Sequence, residues 1–255
     1  MDVHPSAAQG FGRAADAYER GRPGYPEAAV ARLVEVLGIG PGRAVVDLAA
    51  GTGKLTRQLL PSLADLVAIE PVASMRARLA AALPAVRVEA GTAEALPLPD
   101  GTADTVVVGQ AFHWFDGPRA LAEIHRVLRP GGGLGLIWNV RDESVPWVAE
   151  LTGIMEPYRG DAPRYQSGRW RGAFAASSLF RPLREHGFRH EQRGNRAMVR
   201  DRVGSVSFVA SLEEADRAGL LAEVDELLDR HPALRGRATV TLPYRTDVFW
   251  TFRVP

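Results

Sequence analysis

The chain has 255 residues, 46% of them hydrophobic and 24% charged, with a formal net charge of +1 at pH 7. That length can bury a full core with one appended unit, and the near-neutral balance gives no polybasic footprint for nucleic acid or an anionic membrane. The absence of cysteine excludes disulfides, thiolate metal sites and a thiol nucleophile, and no apolar run approaches the roughly 20 residues of a membrane span. A cytoplasmic enzyme, monomer or homodimer, is the expectation.

Residues 1–26 lack a sustained apolar period, and Met1 to Arg13 has no apolar core behind a basic start, which argues against a secretory signal. Ala14 to Arg20 can form a short helix before the turn-rich GRPGYP. Two readings stay open for this segment: a mobile leader, or a lid carrying aromatic side chains such as Tyr18 and Tyr25 over a ligand. Val30, Leu33, Val34 and Leu37 then recur at helical spacing, which predicts a helix over 26–37 stopped by Gly38, Gly40 and Pro41.

Val45, Val46 and Leu48 read as a short buried strand that breaks into the turn Ala49-Ala50-Gly51-Thr52-Gly53, and a helix opens at Lys54. Backbone can approach a ligand closely at Gly51 and Gly53, where no Cβ intrudes, and such a crevice lies outside the carboxyl end of the strand. A second strand, Leu66 to Ile69, ends in Glu70, whose carboxylate can accept both hydroxyls of a ribose. A nucleoside cofactor between these two strands is expected. Thr56 stands where a nicotinamide pattern needs its third glycine, which argues against an oxidoreductase of that kind.

Ser74 is a plausible cap for a helix through Leu83, and Val86 to Glu89 reads as a third strand. A loop turning at Asp100-Gly101 leads to a fourth strand, Thr105 to Val108, an apolar run suited to burial on both faces. A helix over 120–128, an abrupt turn over 129–133 and a fifth strand over 134–138 complete a strand–helix alternation. That alternation predicts a parallel, doubly wound α/β sheet. From Pro157 to Arg202 there are eleven arginines and four acids, with weak periodicity, which suggests an inserted cap. Leu212 to Arg230 has an apolar stripe at helical spacing. Thr239 to Phe252 is β-rich and should return to the sheet as an antiparallel partner. The expected division is a lid segment at 1–26, a cofactor-binding core at 27–142, a substrate cap at 143–202 and a C-terminal part of the sheet at 203–255.

With these pieces in order, VVDLAAGTG, Glu70-Pro71, GTAEALPLPDGTADTVVVGQAFHWF and RVLRPGGGLGLIWN together resemble a class I S-adenosylmethionine-dependent methyltransferase. The likeness covers about residues 10 to 142. It is nearest to the small-molecule group that includes trans-aconitate methyltransferases and the ubiquinone/menaquinone C-methyltransferase-like (type 11) enzymes, and the tail LPYRTDVFWTFR is similar to the last strand of the trans-aconitate-type subgroup. The resemblance implies a Rossmann-like, mostly parallel seven-stranded sheet with an antiparallel edge strand and an inserted helical cap. It also implies S-adenosylmethionine as cofactor and S-adenosylhomocysteine as product. It sets the methionine part over Ala49, Gly51 and Gly53, with Asp47 beneath that turn and Glu70 on the ribose. Pro71 and Met75 would flank the adenine, Ala93 and Glu94 would meet its edge, and the carbonyls of Gln110 and Ala111 would face the cofactor amino group. Ala49 stands where the family has its first turn glycine.

Methyl transfer from a sulfonium is an in-line displacement, in which alignment supplies much of the rate. A base is needed only when the nucleophile arrives protonated. His113, just past the fourth strand, is the candidate for a substrate contact or a base, against the simpler reading of a packing residue. The remaining histidines show no paired ligand spacing, so no metal is expected. Arg159, Arg164, Arg169 and Arg171, interleaved with Tyr158, Tyr165 and Trp170, would suit an anionic, partly planar ligand, unless they form a solvated surface. Trp138, Asn139 and Arg141, ending the fifth strand, should line the substrate side. O-methylation of a carboxylate is the expected reaction. The alternatives are N- or C-methylation of an aromatic or neutral metabolite against a wall of Trp114, Phe115, Trp138 and Trp147, and a non-catalytic cofactor-binding module.

Overall fold

The computed structural model describes residues 19–255, so Tyr18 and most of the expected leader helix lie outside the described residues. Seven strands form one sheet in the order β3-β2-β1-β4-β5-β7-β6. They are β1 (Ala44–Leu48), β2 (Asp65–Ile69), β3 (Arg87–Glu89), β4 (Ala103–Gly109), β5 (Leu128–Arg141), β6 (Arg184–Gly194) and β7 (Val240–Phe252). β1 to β5 pair in parallel, while β7 runs antiparallel to both β5 and β6. The topological reversal at β1/β4 puts a crevice at the carboxyl ends of those strands, where ligands of open α/β sheets bind.

The two faces of the sheet are covered by different helices, and alternation along the strands sorts the side chains between them. α1 (Glu27–Leu37) packs Leu33 and Leu37 into a cluster with Val45, Val107, Ile137 and Val248. On the other face, α4 (Gly117–Val127) buries Leu121, Ile124 and Val127 against Val46, Val106, Leu136 and Trp138. Asp116 caps α4 by accepting the Arg119 amide at 3.3 Å. Between these, α2 (Lys54–Leu59) follows the glycine turn and α3 (Ala73–Ala82) follows β2. Ser74 lies inside α3; Val72 occupies the cap position.

The Arg129–Gly133 segment, expected as a turn, belongs to β5, which starts at Leu128. Two glycines of β5 lie under α1: a Cβ on Gly133 would meet a methyl of Leu37 at 2.6 Å, and one on Gly135 would meet a methyl of Leu33 at 2.8 Å. The leucines of α1 therefore pack directly onto the backbone of β5 at these positions.

The region expected as a cap over 143–202 divides differently. Its last part, Arg184–Gly194, is β6, the sheet's edge strand. α5 (Pro146–Met155) and α7 (Arg196–Gly204) bracket a short α6 (Arg171–Ala175), and α8 (Ser207–Ala210) and α9 (Glu214–Arg230) follow. α5, α7 and α9 share a separate core of Leu151, Met155, Val199, Val203, Leu220, Val224 and Leu227. The helical unit over the sheet thus draws on both sides of the residue 202 boundary. Trp147, expected on an apolar substrate wall, is 4% exposed within this core. No helix among the described residues is long and apolar enough to cross a membrane.

Candidate functional site

A cavity of about 520 Å³ opens where the carboxyl ends of β1, β2, β4 and β5 meet the helical unit. Its two sides have different chemistry.

On the β1–β2 side the backbone is bent to face the cavity. Ala49 takes φ 56° and Gln110, just past β4, takes φ 62°. Left-handed conformations cost a side-chain-bearing residue of order 1 kcal/mol or more, and such strain concentrates at ligand sites. Gly51 follows with φ 59°. Glu70, 5% exposed, closes the turn: one oxygen accepts the Gly51 amide at 2.8 Å and the other accepts the Val72 amide at 2.8 Å. Burial raises its pKa, with those two amides and Arg76 partly offsetting the rise. Each oxygen keeps a second lone pair for a ligand hydroxyl. Pro71, Met75, Ala93, Glu94 and Ala111 also line the cavity, and Glu94 is oriented by the Asp116 amide at 3.0 Å.

Asp47 and Gly53 stand behind this lining. Gly53 backs onto Leu79 and Leu83. Asp47 accepts the Thr56 hydroxyl at 2.5 Å, while its other oxygen, Oδ1, is buried without a partner. Burial pushes its carboxyl up to about 7, against the hydrogen bonds from Thr56 that lower it. Asp47 and Tyr25 line a small adjoining cavity with Arg22, Lys54, Gln110 and Arg202.

On the β5 side the lining is aromatic and cationic. His113, Trp114, Trp138, Asn139, Arg141 and Tyr165 all border the cavity. Trp138, 1% exposed, donates its indole N–H to His113 Nδ1 at 3.2 Å. It stacks near Tyr165 and Trp170, each at a 4.8 Å ring separation. Desolvation, with Arg22 adding repulsion, lowers the His113 pKa to about 3. Asn139 is fixed by donating to the Gly24 carbonyl at 2.9 Å and accepting from Thr246 at 2.6 Å. Tyr165 donates to Asp247 at 2.5 Å, and burial and that carboxylate both push its phenol pKa up.

Arg141 ends β5 and, among the described residues, donates only to the sulfur of Met155, at 3.6 Å. Desolvation and the neighbouring Arg202 pull its pKa down to about 9, against the pull of Tyr244 and Glu143, so it stays charged at neutral pH. Arg202, 7% exposed, donates from Nε to Tyr244 at 3.1 Å and leaves Nη1 buried without a partner. Among the described residues, no carboxylate forms a hydrogen bond or ion pair with either guanidinium. The other arginines behave differently. Arg159 and Arg164 border the cavity but pair with Glu156. Arg171 pairs with Glu185 and lies over Trp170. Arg169 is exposed outside the cavity. Trp170 is buried behind Trp138 rather than at the cavity surface.

Arg202 was not a candidate from sequence, because it lies 61 residues past Arg141 and within no motif. Strand pairing joins them: Arg141 registers with Tyr244, whose hydroxyl holds Arg202. Arg22, which donates to the Ser205 carbonyl at 3.1 Å, was legible only as part of the leader. No cluster of three or more potential metal ligands occurs among the described residues.

Comparison with known proteins gives one consistent result. Residues 46–136 match the model of the Methyltransferase domain family. The chain is 41% identical over 236 residues to an uncharacterized methyltransferase of Mycobacterium tuberculosis, covering 92% of each chain. It is 35% identical over 126 residues to the malonyl-[acyl-carrier protein] O-methyltransferase of Pectobacterium atrosepticum, covering 49% of each. Among solved structures, a putative type II methyltransferase from Anaeromyxobacter dehalogenans superposes with a TM-score of 0.59 at 25% identity, covering 91% of this chain and 96% of that one.

Proposed function

The chain belongs to the class I S-adenosylmethionine-dependent methyltransferases, and on that premise we propose that it methylates a carboxylate oxygen of a small anionic molecule. One observation carries the reading: Arg141 and Arg202 sit together on the β5 side and, among the described residues, no carboxylate is bonded to either. Buried charges are normally paired, and a guanidinium prepared for a planar oxyanion binds it through two parallel hydrogen bonds.

The residues on the opposite side suit S-adenosylmethionine, which supplies an electrophilic methyl on a sulfonium when bound. Glu70 would hold the ribose, Pro71, Met75, Ala93 and Glu94 the adenine, and Ala49, Gly51, Gln110 and Ala111 the methionine part. The unpartnered Asp47 Oδ1 is an acceptor suited to that part's ammonium. On the acceptor side, Arg141 and Arg202 fix the acid, and the walls of Trp114, Trp138 and Tyr165 exclude water. A carboxylate is already a nucleophile at neutral pH and needs no base, so the protein's contribution is alignment. The malonyl-[acyl-carrier protein] O-methyltransferase resemblance agrees with an oxygen acceptor. Absence of cysteine is compatible with work in the cytoplasm.

The aromatic lining supports a second reading, N- or C-methylation of a planar neutral metabolite. Incubating the protein and labelled S-adenosylmethionine with panels of carboxylic acids, amines and phenols separates the two. Ester products from the acid panel are expected; label only in amines or on carbon would overturn the carboxylate reading.

A further inference from the structure

The ring of His113 is held by a neighbour that can only give a hydrogen bond. An indole N–H has no lone pair to offer, so Trp138, 3.2 Å from His113 Nδ1, requires that nitrogen to be unprotonated. A neutral imidazole then carries its proton on Nε2. Protonating Nδ1 would set two N–H groups against each other.

Trp138 has no room to turn away. It is 1% exposed, with Tyr165 and Trp170 at 4.8 Å and Phe249 at 5.8 Å between ring centres. The backbone at His113 is equally constrained. It lies in the single turn Phe112–Trp114, between β4 and α4, with Phe112 anchored in the core. Among the described residues, the charged group that acts on the ring is Arg22, and its charge opposes protonation.

We infer that Trp138 fixes His113 as a permanent Nε2–H donor to the acceptor carboxylate, holding one of its oxygens while the other attacks, and that His113 does not remove a proton from the substrate. This rests on the carboxylate reading for the identity of the acceptor, but the locked tautomer does not. An acceptor arriving protonated, such as an alcohol, finds no base in this ring. One arriving as an anion finds a neutral donor that adds direction without adding another full charge to a cavity already lined by Arg141 and Arg202. Trp138 is the positioning residue and His113 the contact.

The test is nuclear magnetic resonance of the full-length protein carrying ¹⁵N-labelled histidine, with the His113 signals identified by their loss in His113→Phe. From pH 5 to 8 the wild-type ring is expected to show an aprotic Nδ1 and a protonated Nε2, without titrating. In Trp138→Phe the ring should become a mixture of tautomers and its pKa should return toward about 6.5, the ordinary histidine value. Malonate, added as a carboxylate probe to protein loaded with S-adenosylhomocysteine, should shift the Nε2 signal and leave Nδ1 in place. A wild-type ring with its proton on Nδ1, or one that titrates between pH 5 and 8, would overturn the lock. An Nε2 signal indifferent to malonate would overturn the donor contact. Labelled methyl appearing only on amines or carbon, with the locked tautomer still observed, would instead bring down the carboxylate reading alone.

Discussion

The two sides of the cavity treat their polar groups in opposite ways. On the β1–β2 side, backbone amides already hold both oxygens of Glu70, and the Asp116 amide holds Glu94. On the β5 side, among the described residues, Arg141 bonds only a sulfur and Arg202 leaves Nη1 bare. A side whose groups are set by backbone is preorganised for a ligand that never changes. A side with uncompensated charge gains its partners only when the right ligand arrives, so it discriminates among ligands. Asp47, with its bare Oδ1, is the exception on the first side.

Substitutions on one side should leave the other untouched. Arg141→Met has the largest expected effect. Losing a buried charged contact costs about 2 to 5 kcal/mol, so kcat/KM for the accepted acid should fall at least ~30-fold. Affinity for S-adenosylhomocysteine by isothermal titration should stay within about twofold. A matching loss of cofactor affinity would erase the distinction between the sides. Glu70→Ala reverses the pattern: cofactor binding should weaken by about 1 to 3 kcal/mol, from the lost charged acceptor and the loosened Gly51 turn. Unchanged affinity would remove Glu70 from the ribose.

Asp47 tests the exception through pH. Its carboxyl is raised to about 7 in the folded chain, from about 3.9 when unfolded. The folded state therefore binds more protons between these values, and stability falls as pH rises through the window. Between pH 6 and 7 the cofactor-free protein should lose about 1 kcal/mol from this group, and Asp47→Asn should remove that slope in urea unfolding. An identical slope in the variant would mean that Asp47 is not the titrating group. Ala49→Gly has the smallest expected effect. Relieving φ 56° should stabilise the chain by less than about 1 kcal/mol, seen as a small rise in unfolding midpoint; a marked loss would show that the methyl group packs usefully.

The same asymmetry governs what the sequence revealed. β1, β2 and β4 are apolar runs broken by glycine turns, so their pattern and their connection to Glu70 are local. The β5 side is assembled from distant segments. β6 reads REHGFRHEQRG, with most of its side chains exposed or half-exposed, and shows no apolar face by which to recognise a strand. The glycines of 131–133 look like a turn, yet they belong to β5, and Gly133 lies against Leu37 of α1. Arg141 was legible at a strand end, but its companion Arg202 arrives through the β5–β7 register. The arginine-rich run from Arg159 to Arg171 attracted attention by composition, yet Arg159, Arg164 and Arg171 are paired with acids. Local patterns specify the β1–β2 side, and pairing between remote strands specifies the β5 side.

The division is tested most directly by titrating acids and their neutral methyl esters into protein loaded with S-adenosylhomocysteine, in wild type and Arg141→Met. Wild type is expected to bind a free acid at least tenfold more tightly than its ester, and this preference should collapse in the variant. Equal affinity for acid and ester in wild type, or a preference that survives the substitution, would contradict it.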